Sequence, residues 1–208
     1  MHQTRSQVNK KIPIPRKGTK YVARSLSHLK NSVPVVIAVR DMLNLANTTH
    51  EVKEMIKQKL LKINGREVKD HRDSIKLFNL FDADNQYLLT LTTNGKFVFK
   101  ETKNKERSCK VINKKVLKGK KIQLNLHEGS NILSSDKKIN TQDTIYLDHE
   151  GKITKHIPFE KGKECIVIKG KFLGQKGKVE FIEDNKAKIK LKEKDIETEL
   201  DKNGVIVL

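Results

Sequence analysis

Between Thr48 and Lys57, Val52, Met55 and Ile56 recur at the spacing that builds one apolar helix face. Thr49, Lys53 and Lys57 fall four apart, so they line a different, basic face. Thr48-Thr49-His50-Glu51 has the S/T-x-x-E spacing of a capping box, with Thr48 covering the first free amides and Glu51 reaching back. The whole stretch from Pro34 to Asp70 reads as two short helices closed by a tight hairpin. Its turn is Asn64-Gly65, a pair that readily supplies the two positive φ angles of a type I′ turn. Beyond it the period changes from helical to alternating. Tyr87 to Thr92 and Lys96 to Phe99 flank a turn at Thr93-Asn94-Gly95, and Phe78 and Leu80 belong to the strand before it, with its turn at Asp82 to Asn85. Gln123 to His127 alternates cleanly, Glu128 to Asn131 turns, and Ile132-Leu133 resumes an extended path. Thr144 to Leu147 and Lys152-Ile153 enclose a turn at His149 to Gly151. Near the end, Cys165 to Ile168, Lys178 to Ile182, Ala187 to Leu191 and Val205 to Leu208 are strands within a spaced Gly/Val pattern. Four short strands in fifty residues suggest a small closed barrel.

This patterning predicts an α+β, multi-module chain. Only 36% of the 208 residues are hydrophobic and there is no Trp, so several small modules are expected in place of one large core. The expected divisions are a basic arm (1–33), a helix–hairpin module (34–75), a mostly-β central domain (76–157) and the small barrel (158–208).

Charge adds the partner. Lys and Arg number 44 against 25 for Asp and Glu, a formal +19, which points to a polyanion. A membrane surface would call for a basic amphipathic helix with large apolar anchors, and no clear one is found. The longest apolar run, around Val33 to Val39, is too short to span a bilayer, and the first thirty residues show no secretory pattern. Cys109 and Cys165 stand alone, which fits a reducing compartment and a cytoplasmic protein.

The arm carries Arg5, Lys10, Lys11, Arg16, Lys17, Lys20, Arg24 and Lys30 and no acidic residue. It has too little apolar surface to fold by itself and is expected to order along phosphates, the alternative being an inert charged tail. In the helix–hairpin module eight basic and six acidic residues nearly balance, so only arrangement can make it a binding surface. Arg40, Thr49, Lys53, Lys57, Arg66 and Lys69 are its candidate RNA contacts; a merely solvated face fits the same residues. Lys100 to Lys121 holds ten basic residues and two acidic ones, interrupted by Val111-Ile112 and Val116-Leu117, which predicts ordered structure with a basic exposed side. Lys114, Lys115, Lys120 and Lys121 are its candidates. In the last module the basic groups gather near the Lys169 to Lys176 loop, with Lys171 and Lys176 the candidate contacts.

Enzyme chemistry finds little support. His2, His28, His50, His71, His127, His149 and His156 show no zinc spacing, and there is no phosphate-binding loop or nucleophile elbow. His127-Glu128 is the one tempting pair and is read as a strand end before a turn. No catalytic residue, metal, cofactor or small-molecule substrate is expected.

The chain resembles the archaeal and eukaryotic type of small-subunit ribosomal protein number four. That family has H-L-K-R and, after a fixed gap, P-I-P-R-K; here His2-Gln3-Thr4-Arg5 and Pro13 to Lys17 keep the gap, with Gln3 and Thr4 departing from it. Val33-Pro34-Val35, Val39-Arg40-Asp41, Leu43, Ala46 and Thr48 resemble its I-P-L-x-x-x-L-R-D-x-L-x-x-A-x-T, and Ile63 to Asp70 its V-D-G-K-V-R-x-D. Gln123 to Asn131 resembles Q-L-N-L-H-D-G-R-N, with Glu128 and Ser130 replacing Asp and Arg. The closing glycine pattern resembles a KOW motif. The resemblance implies a helix–hairpin RNA-binding domain, a central β domain and a KOW-type barrel, in a cytoplasmic ribosomal constituent. It would bind small-subunit rRNA beside neighbouring proteins, and it adds His2 to the candidate contacts. Two other readings are a KOW-containing transcription-elongation factor and an RNA-modifying enzyme with an accessory RNA-binding domain. The first lacks a visible polymerase-binding domain, and the second lacks room for a catalytic one.

Overall fold

The computed structural model describes residues 2–118, 121–183, 185–192 and 196–208. The chain forms two compact units: Met1–Leu91 with Lys96–Lys105, and Thr92–Gly95 with Glu106–Leu208.

The first unit begins with β1 (His2–Thr4) paired antiparallel to β2 (Tyr21–Ala23). The arm is thus folded back on itself, contrary to the expectation from its composition. The physical reason is a single side chain. Arg5 donates from Nε and Nη1 to the carbonyls of Thr19 and Pro15 at 2.8 and 2.7 Å, and from Nη2 to Thr19 Oγ1 at 3.0 Å. Ile12 and Val22 of the same segment are buried.

After β3 (Ser32–Pro34) comes α1 (Val35–Ile37), which widens into a π-helical turn over Ala38–Met42. The first of the two expected helices is therefore short and irregular; Val35 to Val39 are all buried. α2 (Thr49–Lys57) is regular and is capped as its sequence predicts. Thr48 Oγ1 accepts the Glu51 amide at 3.2 Å, and Glu51 reaches back to the amide of Asn47 at 2.7 Å, one residue further than expected. The hydrogen bond from Asn47, with a second from the Thr48 hydroxyl at 2.9 Å, holds the Glu51 carboxyl below its ordinary range. Val52 is fully buried, and Met55 and Ile56 lie half-buried beside it.

The hairpin follows as β4 (Lys62–Ile63) and β5 (Arg66–Glu67), with φ of 52° at Asn64 and 78° at Gly65. Both central angles are positive, as type I′ requires. β6 (Ser74–Lys76) pairs with β3, while β7 (Leu80–Asp82), β8 (Gln86–Leu91) and β9 (Phe97–Glu101) extend the hairpin into an antiparallel sheet ordered β5-β4-β7-β8-β9. Asn64 also fixes this join, since its Oδ1 accepts the Leu80 amide at 2.9 Å. The sheet runs across residue 75, where the sequence had suggested a module boundary.

Gly65→Val is expected to destabilise the first unit by about 1–3 kcal/mol, because a β-branched residue resists that positive φ. Gly65→Asn should cost clearly less, since Asn tolerates the left-handed region. Urea unfolding of the two variants checks this; equal losses would mean that the turn geometry is not the cause.

In the second unit β10 (Arg107–Val116), β11 (Ile122–Leu126), β12 (Asn131–Ser134), β13 (Thr144–Leu147) and β14 (Ile153–Ile157) form a sheet ordered β12-β11-β10-β13-β14. Cys109, Val111, Leu124, Ile139, Ile145 and Leu147 make its core. β15 (Glu164–Val167), β16 (Lys176–Ile182), β17 (Lys186–Leu191), β18 (Glu197–Asp201) and β19 (Val205–Val207) form the last sheet, ordered β18-β17-β16-β15-β19. All five of these strands contribute to one core through Cys165, Val179, Ile189, Leu200 and Val207, among others. Both cysteines are buried, and burial pushes the Cys165 thiol up to about 12. The chain as a whole is mostly β with few helices, an α+β architecture of small units.

Candidate nucleic-acid interface

Two sets of cations lie on the first unit. The first is carried by α2 and the hairpin after it. Lys53 and Lys57 project from α2, away from buried Val52, and Arg66 and Lys69 lie in and just after the hairpin; all four are exposed. Lys57 meets Glu54 at 2.7 Å one turn away, an exposed pair of little energetic weight.

The second set lines a cleft of about 490 Å³. The arm supplies His2, Arg5, Lys17 and Tyr21, and the core module supplies Arg40, Thr49, His71 and Arg72. Several of these cations already have partners. Arg40 grips Asp41 through Nε and Nη2 at 3.0 and 2.9 Å and reaches Thr49 Oγ1 at 3.2 Å. The hydrogen bond to Asp41 raises its pKa above the ordinary value. Arg72 holds Asp70 in the same two-pronged way and drives its carboxyl down to about 2. Burial lowers the pKa of His71, so the imidazole favours its neutral form more than a free one does. Asp70 opposes this shift, and Lys53 and Arg72 assist it.

The remaining candidates divide by what they touch. Lys10, Arg16, Lys17 and Lys20 are exposed, and Lys20 Nζ sits 5.4 Å from the Tyr21 ring centre. Arg24 is half-buried. Lys11 is committed within the unit, bonding Asn31 Oδ1 at 2.8 Å and lying over the Phe97 ring. Lys115 and Lys121 are exposed at the β10–β11 end, whereas Lys114 donates to the carbonyls of Lys137 and Ile139 at 2.9 and 2.6 Å and pins that loop. Lys120 lies outside the described residues. Lys171 and Lys176 are exposed, Lys171 over the Phe172 ring. Arg5, Arg40, Thr49, Lys11 and Lys114 thus hold local structure as well as carrying polar groups, which composition cannot distinguish from free cations.

Sequence reasoning passed over Tyr21, His71 and Arg72. An aromatic inside an otherwise all-basic segment was the available signal for Tyr21, and the Asp70-x-Arg72 spacing for the ion pair. Among the described residues no cluster of His, Cys, Asp and Glu could hold a metal ion, and no helix is long and apolar enough to cross a membrane.

Small β units, exposed cations and a net +19 define a basic protein of the class that packs on nucleic acid. Residues 83–153 match the family model described as ribosomal family S4e. The chain is 32% identical to the small ribosomal subunit protein eS4 of Methanocella arvoryzae, over 87% of this chain and 80% of that protein. It is 34% identical to the protein of that name from Methanocaldococcus jannaschii, over 82% and 76%. The fold matches the crystal structure of the 30S ribosomal protein S4e from Thermoplasma acidophilum with a TM-score of 0.72 at 21% identity, over 86% of this chain and 95% of that one. The chain belongs to the S4e family of ribosomal proteins.

Proposed function

We propose that this protein is a structural constituent of the small ribosomal subunit in the cytoplasm, where it binds rRNA, packs beside neighbouring ribosomal proteins and performs no catalysis. The helix–hairpin of the first unit acts as an RNA-binding domain, the β10–β14 sheet as a central spacer, and the β15–β19 sheet as a KOW-type barrel with Lys171 and Lys176 toward RNA. The arm lies along phosphates through Lys10, Arg16, Lys17 and Lys20. The observation that carries this reading is the exposed set of Lys53, Lys57, Arg66 and Lys69, four cations carried by α2 and by the hairpin segment that follows it. Family membership favours this role over the elongation-factor and RNA-modifying readings.

Binding to small-subunit rRNA should weaken linearly on a log–log salt plot, with a slope of about −0.7 to −0.9 for each phosphate contacted. Lys53→Glu with Lys57→Glu should lower the affinity about tenfold or more and flatten the slope by about 1 to 2. Unchanged affinity and slope, with unchanged circular dichroism, would reduce that set to solvated surface. Sedimentation of the tagged protein with small subunits tests the assembly role directly.

A further inference from the structure

We propose that the cleft between the arm and the start of α2 receives one unstacked nucleotide of the bound RNA. The proposal rests on the RNA-binding reading and deepens it, because gripping a phosphate backbone does not by itself require a concavity. This one has the roughly 300–1,000 Å³ size of a small-molecule site, at about 490 Å³. Its wall includes apolar Ile14, Val22 and Val36, which a phosphate would avoid and a base would not.

Two features divide the work between base and phosphate. Tyr21 is 50% exposed at the cleft, with Lys20 Nζ over its ring at 5.4 Å, an aromatic surface that a base can share with that cation. It is held edge-to-face by His2, with ring centres 4.4 Å apart, so its orientation is set before any ligand arrives. Unpaired bases are read by stacking on such rings, whereas duplex bases are not available to them.

The charges are arranged to match. Arg40 is neutralised by Asp41 and Arg72 by Asp70. Arg5 is fixed by three neutral oxygen acceptors, and Lys17 is exposed. Neither has an ion-pair partner among the described residues. Their charges remain to be matched, and Arg5 loses little freedom in doing so because its guanidinium is already held. A nucleotide with its base on Tyr21 and its phosphate toward Arg5 and Lys17 satisfies both features.

The test compares a stem RNA carrying a single-nucleotide bulge with the same stem fully paired, both with the full-length chain at one salt concentration. The wild type should bind the bulged RNA about tenfold more tightly. Tyr21→Ala should lower affinity for the bulged RNA about tenfold more than for the paired stem, erasing that preference, and Tyr21→Phe should keep it. Lys17→Gln should weaken both RNAs. A 4-thiouridine at the bulge should crosslink to the segment 21–24 of the wild type, a readout independent of how the alanine variant folds. Equal wild-type affinity for the two RNAs, a preference that survives in Tyr21→Ala, or a crosslink elsewhere would overturn the pocket. Failure of the wild type to bind either RNA would instead overturn the RNA-binding reading beneath it.

Discussion

Glu128→Ala is expected to cost about 3–5 kcal/mol of stability in the second unit, measured by urea unfolding. Glu128 sits in the turn after β11, with its side chain 3% exposed, and pairs with Arg107 of β10, itself 10% exposed. It also accepts the Ser130 hydroxyl at 2.7 Å. Removing the carboxylate would leave a guanidinium in the protein interior with no counter-charge and with its Nε already lacking a partner. That residual charge, rather than the net worth of the pair, sets the size of the loss. Arg107→Leu together with Glu128→Leu should therefore be much less harmful than Glu128→Ala alone, since replacing both members removes the uncompensated charge. A loss below about 1 kcal/mol for Glu128→Ala would show that water reaches Arg107. The two positions where Gln123 to Asn131 departs from the family pattern, Glu128 and Ser130, are thus hydrogen-bonded to each other here and serve the interior.

Local signals in the sequence were read correctly wherever one residue type has one backbone consequence. Asn64-Gly65 encodes a turn because few other pairs take two positive φ angles, and Thr48 with Glu51 encodes a helix start because both groups act within three residues. Alternation located most of the strands from Tyr87 onward. It missed β10, expected only as ordered structure with a basic side, and β18, Glu-Thr-Glu-Leu-Asp, whose lone large apolar residue is Leu200. The latter strand is matched to β17 across charges, Lys186 and Lys188 facing Glu199 at 3.6 and 3.7 Å, so sign complementarity was the legible cue. The arm was illegible for a different reason. Its fold depends on Arg5 meeting carbonyls ten and fourteen residues away, and composition records the charge but not the acceptors. The Lys100 to Lys121 run departs from expectation only in one stretch. Arg107 to Val111 are all buried, so both faces of β10 are covered there, and the basic exposed side lies before it, at Lys100, Lys103 and Lys105, and again beyond Val111. Of the candidate site, the residues of α2 and the hairpin were legible because exposure is the ordinary state of lysine. The cleft was not, since it arises only when the arm folds back.

Lys110, in the buried stretch of β10, should make the second unit more stable as pH rises above neutrality. It is 1% exposed, its Nζ donates to the backbone carbonyls of Lys202 and Val205, and it lies 5.8 Å from the Phe159 ring centre. Burial lowers its pKa from 10.5 to about 7; Asp201 opposes the shift and Lys169 assists it. Between those two values the unfolded chain keeps a proton that the folded chain has released. The unfolded state then binds more protons, so unfolding free energy climbs with pH, at up to about 1.4 kcal/mol per unit. Below about pH 7 both states are protonated and the cost of the buried charge is present in full. Lys110→Met isolates this term from the titration of the many surface lysines. The variant carries no charge to bury but leaves two carbonyls without their donor, at about 1–3 kcal/mol each. Its disadvantage relative to wild type should therefore be smallest near pH 6 and widen by about 2 kcal/mol by pH 9. A difference that stays flat across that range in paired urea titrations would mean that Lys110 remains an ammonium throughout, balanced by the two carbonyls and Asp201.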